Sequence, residues 1–299
     1  MNRHAGVEKA RAFFAGGLGK RQALSLETRR GNVDRLGEMA SVPDVVTRQR
    51  SRLGECPVEI VTTERSGPGH AILYLHGGAF VAGSALSHAH VSAMLATETD
   101  IPVYVLEYRL APEHPFPAGL NDVIKAYHQI LTEVGDSTRI SLVGDSAGGN
   151  LTLSALCRLR DAGTDLPSSG VAISPSTDLT CGGESYDTRK EQDFFLSREG
   201  LETDFATYLA GTSAEDPGAS PLFGDLTGLP PLLLQVGSDE LLLSDSTRFA
   251  DKAKAAGGDV TLEIWEEMIH VWHLFPQWLP EARQAIKRIA AFINKTMAG

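Results

Sequence analysis

Cysteine is scarce in this chain: Cys56, Cys157 and Cys181 are three among 299 residues. An odd number, far apart and without metal-ligand spacing, argues against a disulfide framework and a thiolate metal site. Structural thiols in a reducing cytosol follow, with Cys157 expected as buried packing. Long apolar runs are absent too. Although 42% of the residues are hydrophobic, no stretch approaches the roughly 18 needed to cross a bilayer, and the N-terminus has no unbroken apolar segment of the secretory kind. A cytoplasmic protein without a membrane partner is expected. Positive charge is also in short supply. Lys and Arg total 27 against 38 Asp and Glu, a net charge of −11, which disfavours nucleic acid and anionic membrane surfaces as partners. Internal repeats and low-complexity linkers are missing, and the length allows one large or two ordinary domains with a substantial core.

Glycine is plentiful, at 30 residues, and two glycine-rich segments carry chemistry. The apolar run Ile140-Ser141-Leu142-Val143 leads into Gly144-Asp145-Ser146-Ala147-Gly148, and the helix-like Asn150–Leu156 follows. This is a strand, a sharp turn and a helix with serine at the apex, where small neighbours allow the turn and strain holds the hydroxyl outward. The second segment, His76-Gly77-Gly78-Ala79-Phe80, follows the apolar strand Ala71–Leu75. Acyl transfer from an ester builds negative charge on the carbonyl oxygen, and a loop of small residues can present backbone N–H donors to it unobstructed. Either segment alone is an ordinary glycine loop, and together they point to a nucleophile with its oxyanion donors.

Around them strands alternate with helices. Strands are predicted at 58–63, 71–75, 102–107, 140–144, 170–174, 231–236 and 260–266, and helices at 119–131, 148–162, 244–256 and 281–297. This is an α/β pattern with a mostly parallel sheet whose continuous apolar strands are covered on both faces. Ligands in such sheets bind beyond the carboxyl ends of the strands. Residues 1–50 and 182–215 do not fit the alternation.

With these motifs in order, the chain resembles the hormone-sensitive-lipase family of α/β-hydrolases, the bacterial family IV carboxylesterases. Tyr108-Arg109-Leu110-Ala111-Pro112, Ser174-Pro175-Ser176-Thr177-Asp178 and Gly237-Ser238-Asp239-Glu240-Leu241 extend the match. The resemblance implies an eight-stranded sheet flanked by helices and a helical cap. Residues 1–50 would form an N-terminal cap segment, 182–215 a cap insertion, and 51–181 with 216–299 the catalytic core. Gly77, Gly78, Ala79 and Ala147 would form the oxyanion hole, with Gly77 serving the turn and the other three supplying donors; Ala79 stands where the family has a third glycine.

A serine hydroxyl needs an imidazole to take its proton and a carboxylate to orient that imidazole. The family order of serine, acid, histidine leaves His270 and His273 among nine histidines, and His270 is favoured because it follows a strand-like segment by a short connection. His273 is expected to be packed or on the surface. Asp239, just past the strand 231–236, is the expected acid. Asp245 is its rival and reads as decorating or capping the next helix, and Glu240 is the substitute if Asp239 proves dispensable. Asp145 is expected to support the loop by hydrogen bonds. Phe80, Phe194, Phe205 and Trp272 are candidate pocket walls, beside Phe195 and Phe275. No metal or cofactor is expected. The implied substrate is a small-molecule ester of short to medium acyl chain, with a monoterpene-type lactone as the alternative and a non-catalytic receptor as the remaining reading. A homodimer through 261–265 and 286–293 is a further family implication.

Overall fold

The computed structural model describes residues 3–17, 24–38 and 42–298. Eight strands form one sheet: β1 (Val46–Leu53), β2 (Cys56–Thr63), β3 (Ala71–Leu75), β4 (Val103–Leu106), β5 (Ile140–Asp145), β6 (Ser169–Ile173), β7 (Leu232–Gly237) and β8 (Val260–Trp265), in the order β1-β2-β4-β3-β5-β6-β7-β8. β2 pairs antiparallel with both β1 and β4, and all pairs from β4 to β8 are parallel. Among the described residues the helices are α1 (Arg3–Gly17), α2 (Leu26–Asp34), α3 (Ala89–Thr99), α4 (Ala118–Val134), α5 (Ala147–Asp161), α6 (Ser185–Thr188), α7 (Arg198–Leu209), α8 (Leu243–Ala255) and α9 (Pro280–Met297).

The central strands read as unbroken apolar runs because both faces are buried. In β3, Leu73 and Leu75 enter one core while Ile72 and Tyr74 enter the other. This is the two-residue period of a strand with helices on each side. Leu120, Val123 and Ile130 of α4 pack in the first core, and Ala282, Ala285, Ile286, Ile289 and Ile293 of α9 in the second, each at helical spacing.

Two elements escape the sequence pattern. β1, with the sequence VTRQRSRL, is exposed for most of its length, so backbone pairing with β2 holds it and no apolar alternation marks it. Residues 46–50 consequently belong to the sheet and not to the N-terminal segment. α3 is buried around most of its circumference and built largely of small residues, so it lacks the one-sided stripe that signals a surface helix. No described helix is long and apolar enough to cross a membrane.

Candidate active site

Parallel strands deliver the loops after them to one edge of the sheet, and there β3 is followed by His76–Ala79, β5 by Ser146, β7 by Glu240 and β8 by His270. Ser146 has φ 52° and ψ −116°, and its N–H donates to Ile173 O at 2.8 Å. α5 then passes so close to β3 that only glycine fits at 148: a Cβ there would lie 1.9 Å from Leu75 O. A left-handed φ at a serine is strained backbone held by its surroundings.

The Oγ of Ser146 lies 3.0 Å from Nε2 of His270, and Nδ1 of His270 lies 2.7 Å from Oε2 of Glu240. All three residues are buried. The second oxygen of Glu240 accepts from Ser174 Oγ at 2.8 Å and from the Gly237 N–H. Ser174 in turn accepts from the Val271 N–H at 3.3 Å, so one hydroxyl ties the carboxylate to the backbone beside the imidazole. A carboxylate with these partners is held as an oriented acceptor.

Asp239 is therefore not the carboxylate on the imidazole. It is half-buried, its Oδ1 accepts from the Ser238 hydroxyl at 3.0 Å, and its N–H donates to Met268 O at 3.2 Å. With Ser238 N–H also bound to Trp265 O at 2.9 Å, the loop runs against the segment after β8, and residue 240 is the one that faces inward. The longer glutamate arm then reaches His270. Asp245 differs from expectation too: its Oδ1 accepts the N–H groups of Thr177 at 2.9 Å and Asp178 at 3.0 Å, pinning the loop after β6 to α8. Burial pushes its carboxyl well above the ordinary aspartate value. His273 is buried with Nε2 2.8 Å from Gln235 Oε1, and burial lowers it to about 3.

The loop after β3 rests on Asp145. Its Oδ1 accepts from Tyr74 Oη at 2.8 Å and from the Gly77 N–H at 3.1 Å, and its Oδ2 lies 3.2 Å from Nε2 of His88. Burial pushes this carboxyl up, but the His88 imidazole and the hydrogen bonds from His88 and Tyr74 outweigh it and hold the group below the ordinary aspartate value. Gly77 spends its N–H on this anchor, which leaves it out of the donor set. Gly78 has φ 127°, and a Cβ there would meet Ala82 O at 2.1 Å. Ala79 follows with φ 54°, and both residues line the cleft beside Ser146. Ala147 is fully buried at the start of α5, where the positive end of the helix dipole faces the serine.

Ser146 and His270 lie in a cleft that opens to solvent. Its apolar walls include Val33 and Leu36 from the N-terminal segment, Phe195, Leu196 and Leu201 from the segment after β6, and Leu274. Of the aromatic walls expected, Phe195 lines the cleft, and Phe80, Phe194, Phe205, Trp272 and Phe275 do not. Phe80 is buried against Tyr208, with ring centroids 3.8 Å apart, and Phe205 meets it edge-on at 6.2 Å. Trp272 is fully buried between Trp265 and His273. Phe194 packs beneath the Arg11 guanidinium, 4.5 Å from the ring centroid. Most of the large aromatics are spent on packing, while Phe195 and smaller aliphatic side chains face the cleft, a division that aromatic content in the sequence does not reveal. The leucines carry no local signature, and Ser174, though inside a quoted motif, shows its contact with Glu240 only in the fold.

Comparison with known proteins places this geometry among relatives. Residues 72–274 match the family described as having the alpha/beta hydrolase fold. An acetyl-hydrolase of Streptomyces hygroscopicus is 46% identical over 251 residues, 84% of this chain and 82% of that protein. An esterase of Acinetobacter venetianus is 40% identical over 222 residues, 74% of this chain and 73% of that one. Among solved structures, an esterase of the bacterial hormone-sensitive lipase family superposes with a TM-score of 0.94 at 37% identity, covering 99% of this chain and 100% of that chain.

Proposed function

Because the chain belongs to the hormone-sensitive-lipase-like family of α/β hydrolases and is a carboxylic ester hydrolase, we propose that it cleaves short- to medium-chain esters in two steps through Ser146, His270 and Glu240. The observation that carries this reading is the continuous hydrogen-bonded chain from Ser146 Oγ through His270 to Glu240, with separations of 3.0 and 2.7 Å. Ser146 Oγ attacks the ester carbonyl while its proton passes to Nε2 of His270. Glu240 accepts from Nδ1–H, which sets the tautomer that leaves Nε2 free to act as base and stabilises the imidazolium that results. The N–H groups of Gly78, Ala79 and Ala147 receive the oxyanion. His270 then protonates the departing alkoxide, and the carbonyl–oxygen bond to the alcohol breaks. Water, giving a proton to the same imidazole, adds to the acyl-enzyme; the bond to Ser146 breaks and the hydroxyl regains its proton.

The N-terminal segment and the segment after β6 would act as a cap over this chemistry. Their closely spaced leucines and Phe195 favour compact acyl chains. The test is hydrolysis of p-nitrophenyl esters from acetate to decanoate by wild type and by Ser146→Ala. The variant is expected to lose on the order of 10⁵-fold or more in kcat while remaining folded, and activity in the wild type is expected to peak at short or medium chains. Wild-type turnover by Ser146→Ala would end the proposal.

A further inference from the structure

Asp193 lies in the segment between β6 and α7, outside the proton relay, and is 6% exposed. Its Oδ1 accepts the N–H groups of Phe195 at 2.9 Å and Leu196 at 2.8 Å, and its Oδ2 accepts the N–H of Leu241 at 2.9 Å. The first two donors belong to the cleft wall, and Phe195 also lies over the relay, its ring centroid 5.3 Å from that of His270. The third belongs to the residue directly after Glu240. A second tie runs alongside: Arg189 Nε donates to Ser238 O at 2.8 Å, and the Asp193 N–H donates to Arg189 O at 2.9 Å.

We propose that Asp193 is a positioning residue that joins the substrate wall and the acid loop into one rigid unit, so that a single buried carboxylate sets both the placement of Glu240 against His270 and the width of the cleft at Phe195 and Leu196. A buried carboxylate left without donors is costly, so three backbone N–H groups from two separate segments define its place closely. Burial pushes its carboxyl above the ordinary aspartate value, while the His270 imidazole and the N–H groups of Leu241 and Leu196 pull the other way. An aspartate is suited to this task. Its two oxygens face opposite segments, whereas an amide would present an N–H₂ group toward one set of N–H donors.

The proposal rests on the relay assigned above, and its test separates the two. Wild type and Asp193→Asn are titrated with a fluorophosphonate, and kcat and KM are measured per labelled site on p-nitrophenyl acetate, butyrate and octanoate, well below each protein's Tm. A role confined to stability lowers Tm and the labelled fraction but leaves the kinetics of labelled sites unchanged. The positioning role is expected to lower kcat per labelled site on the order of 10-fold. It is also expected to change the octanoate-to-butyrate ratio of kcat/KM by about three-fold or more. Wild-type kcat and selectivity per labelled site would overturn the proposal whatever happens to Tm. Should D193N not be recovered folded, D193S is held to the same two criteria. Persistent labelling of Ser146 in either variant shows that the relay reading stands even where the positioning role fails.

Discussion

His270 Nδ1 sits 2.7 Å from Glu240 Oε2, while the neighbouring carboxylate of Asp239 turns to the Ser238 hydroxyl. Two adjacent acids thus have different work. Replacing Glu240 by Gln is expected to lower kcat for p-nitrophenyl butyrate by roughly 10³- to 10⁴-fold, because an amide N–H₂ facing the imidazole no longer selects the needed tautomer. Asp239→Asn is expected to stay within about three-fold of wild type, as befits a group outside the relay. The reverse ranking would return the acid to Asp239.

The loop after β3 gives a second expectation. At Gly78 a methyl would lie 2.1 Å from Ala82 O on a backbone with φ 127°, so Gly78→Ala must move the loop. Loss of one oxyanion donor costs about 10²- to 10³-fold in kcat, and a fall of that size is expected. Ala79→Gly keeps its N–H and is expected to remain within about three-fold. Equal, small effects of both substitutions would place the oxyanion elsewhere.

Stability toward acid offers a third. His90 is buried with Nε2 donating to Leu274 O at 2.8 Å, and burial together with neighbouring His88 lowers it to about 4. A histidine whose folded pKa lies below the unfolded value of about 6.5 leaves stability whole above that value and erodes it as pH falls toward 4. Asp193 and Asp245, pushed up by burial, act in the opposite sense. The comparison with His90→Gln isolates one group. Between pH 7 and 5 the wild type is expected to lose about 2 kcal/mol more than the variant, measured by urea denaturation. Parallel losses would show that His90 takes up no proton on unfolding.

A fourth concerns the contact between the N-terminal segment and α7. Arg29 Nη2 lies 2.5 Å from Asp204 Oδ2, and the aspartate is the more buried of the two, with side-chain exposures of 20% and 4%. Arg29→Ala strands a buried carboxylate and is expected to cost about 2 kcal/mol. Asp204→Asn is expected to cost less, because the cation it leaves behind reaches water. Thermal denaturation of both variants decides, and a larger loss for Asp204→Asn would contradict the burial argument.

Much of the fold was legible along the chain. Continuous apolar runs marked β3, β5 and β7 because both faces of those strands are covered, and helical spacing marked α4 and α9. β1 was silent because it is a mostly exposed edge strand, and α3 because it is apolar or small on nearly every side. Of the site, Ser146 stood out through the steric demand of its turn, and His270 through its place after β8. The leucines of the cleft had no such mark, and the motif around Ser174 did not disclose its role, since a hydroxyl or an aliphatic side chain gains its role only from what lies across from it.

The one-dimensional order of residues was sufficient for features imposed by local geometry: a serine on a strained turn, small residues at a close approach, the alternation of strand and helix. The choice between Asp239 and Glu240 lay beyond it, as did the side of the aromatics that faces the cleft. Both depend on contacts between segments far apart in sequence. Hydrogen bonds from the loop after β7 to Trp265 and Met268 turn residue 240 inward, and only the folded chain brings those carbonyls within reach.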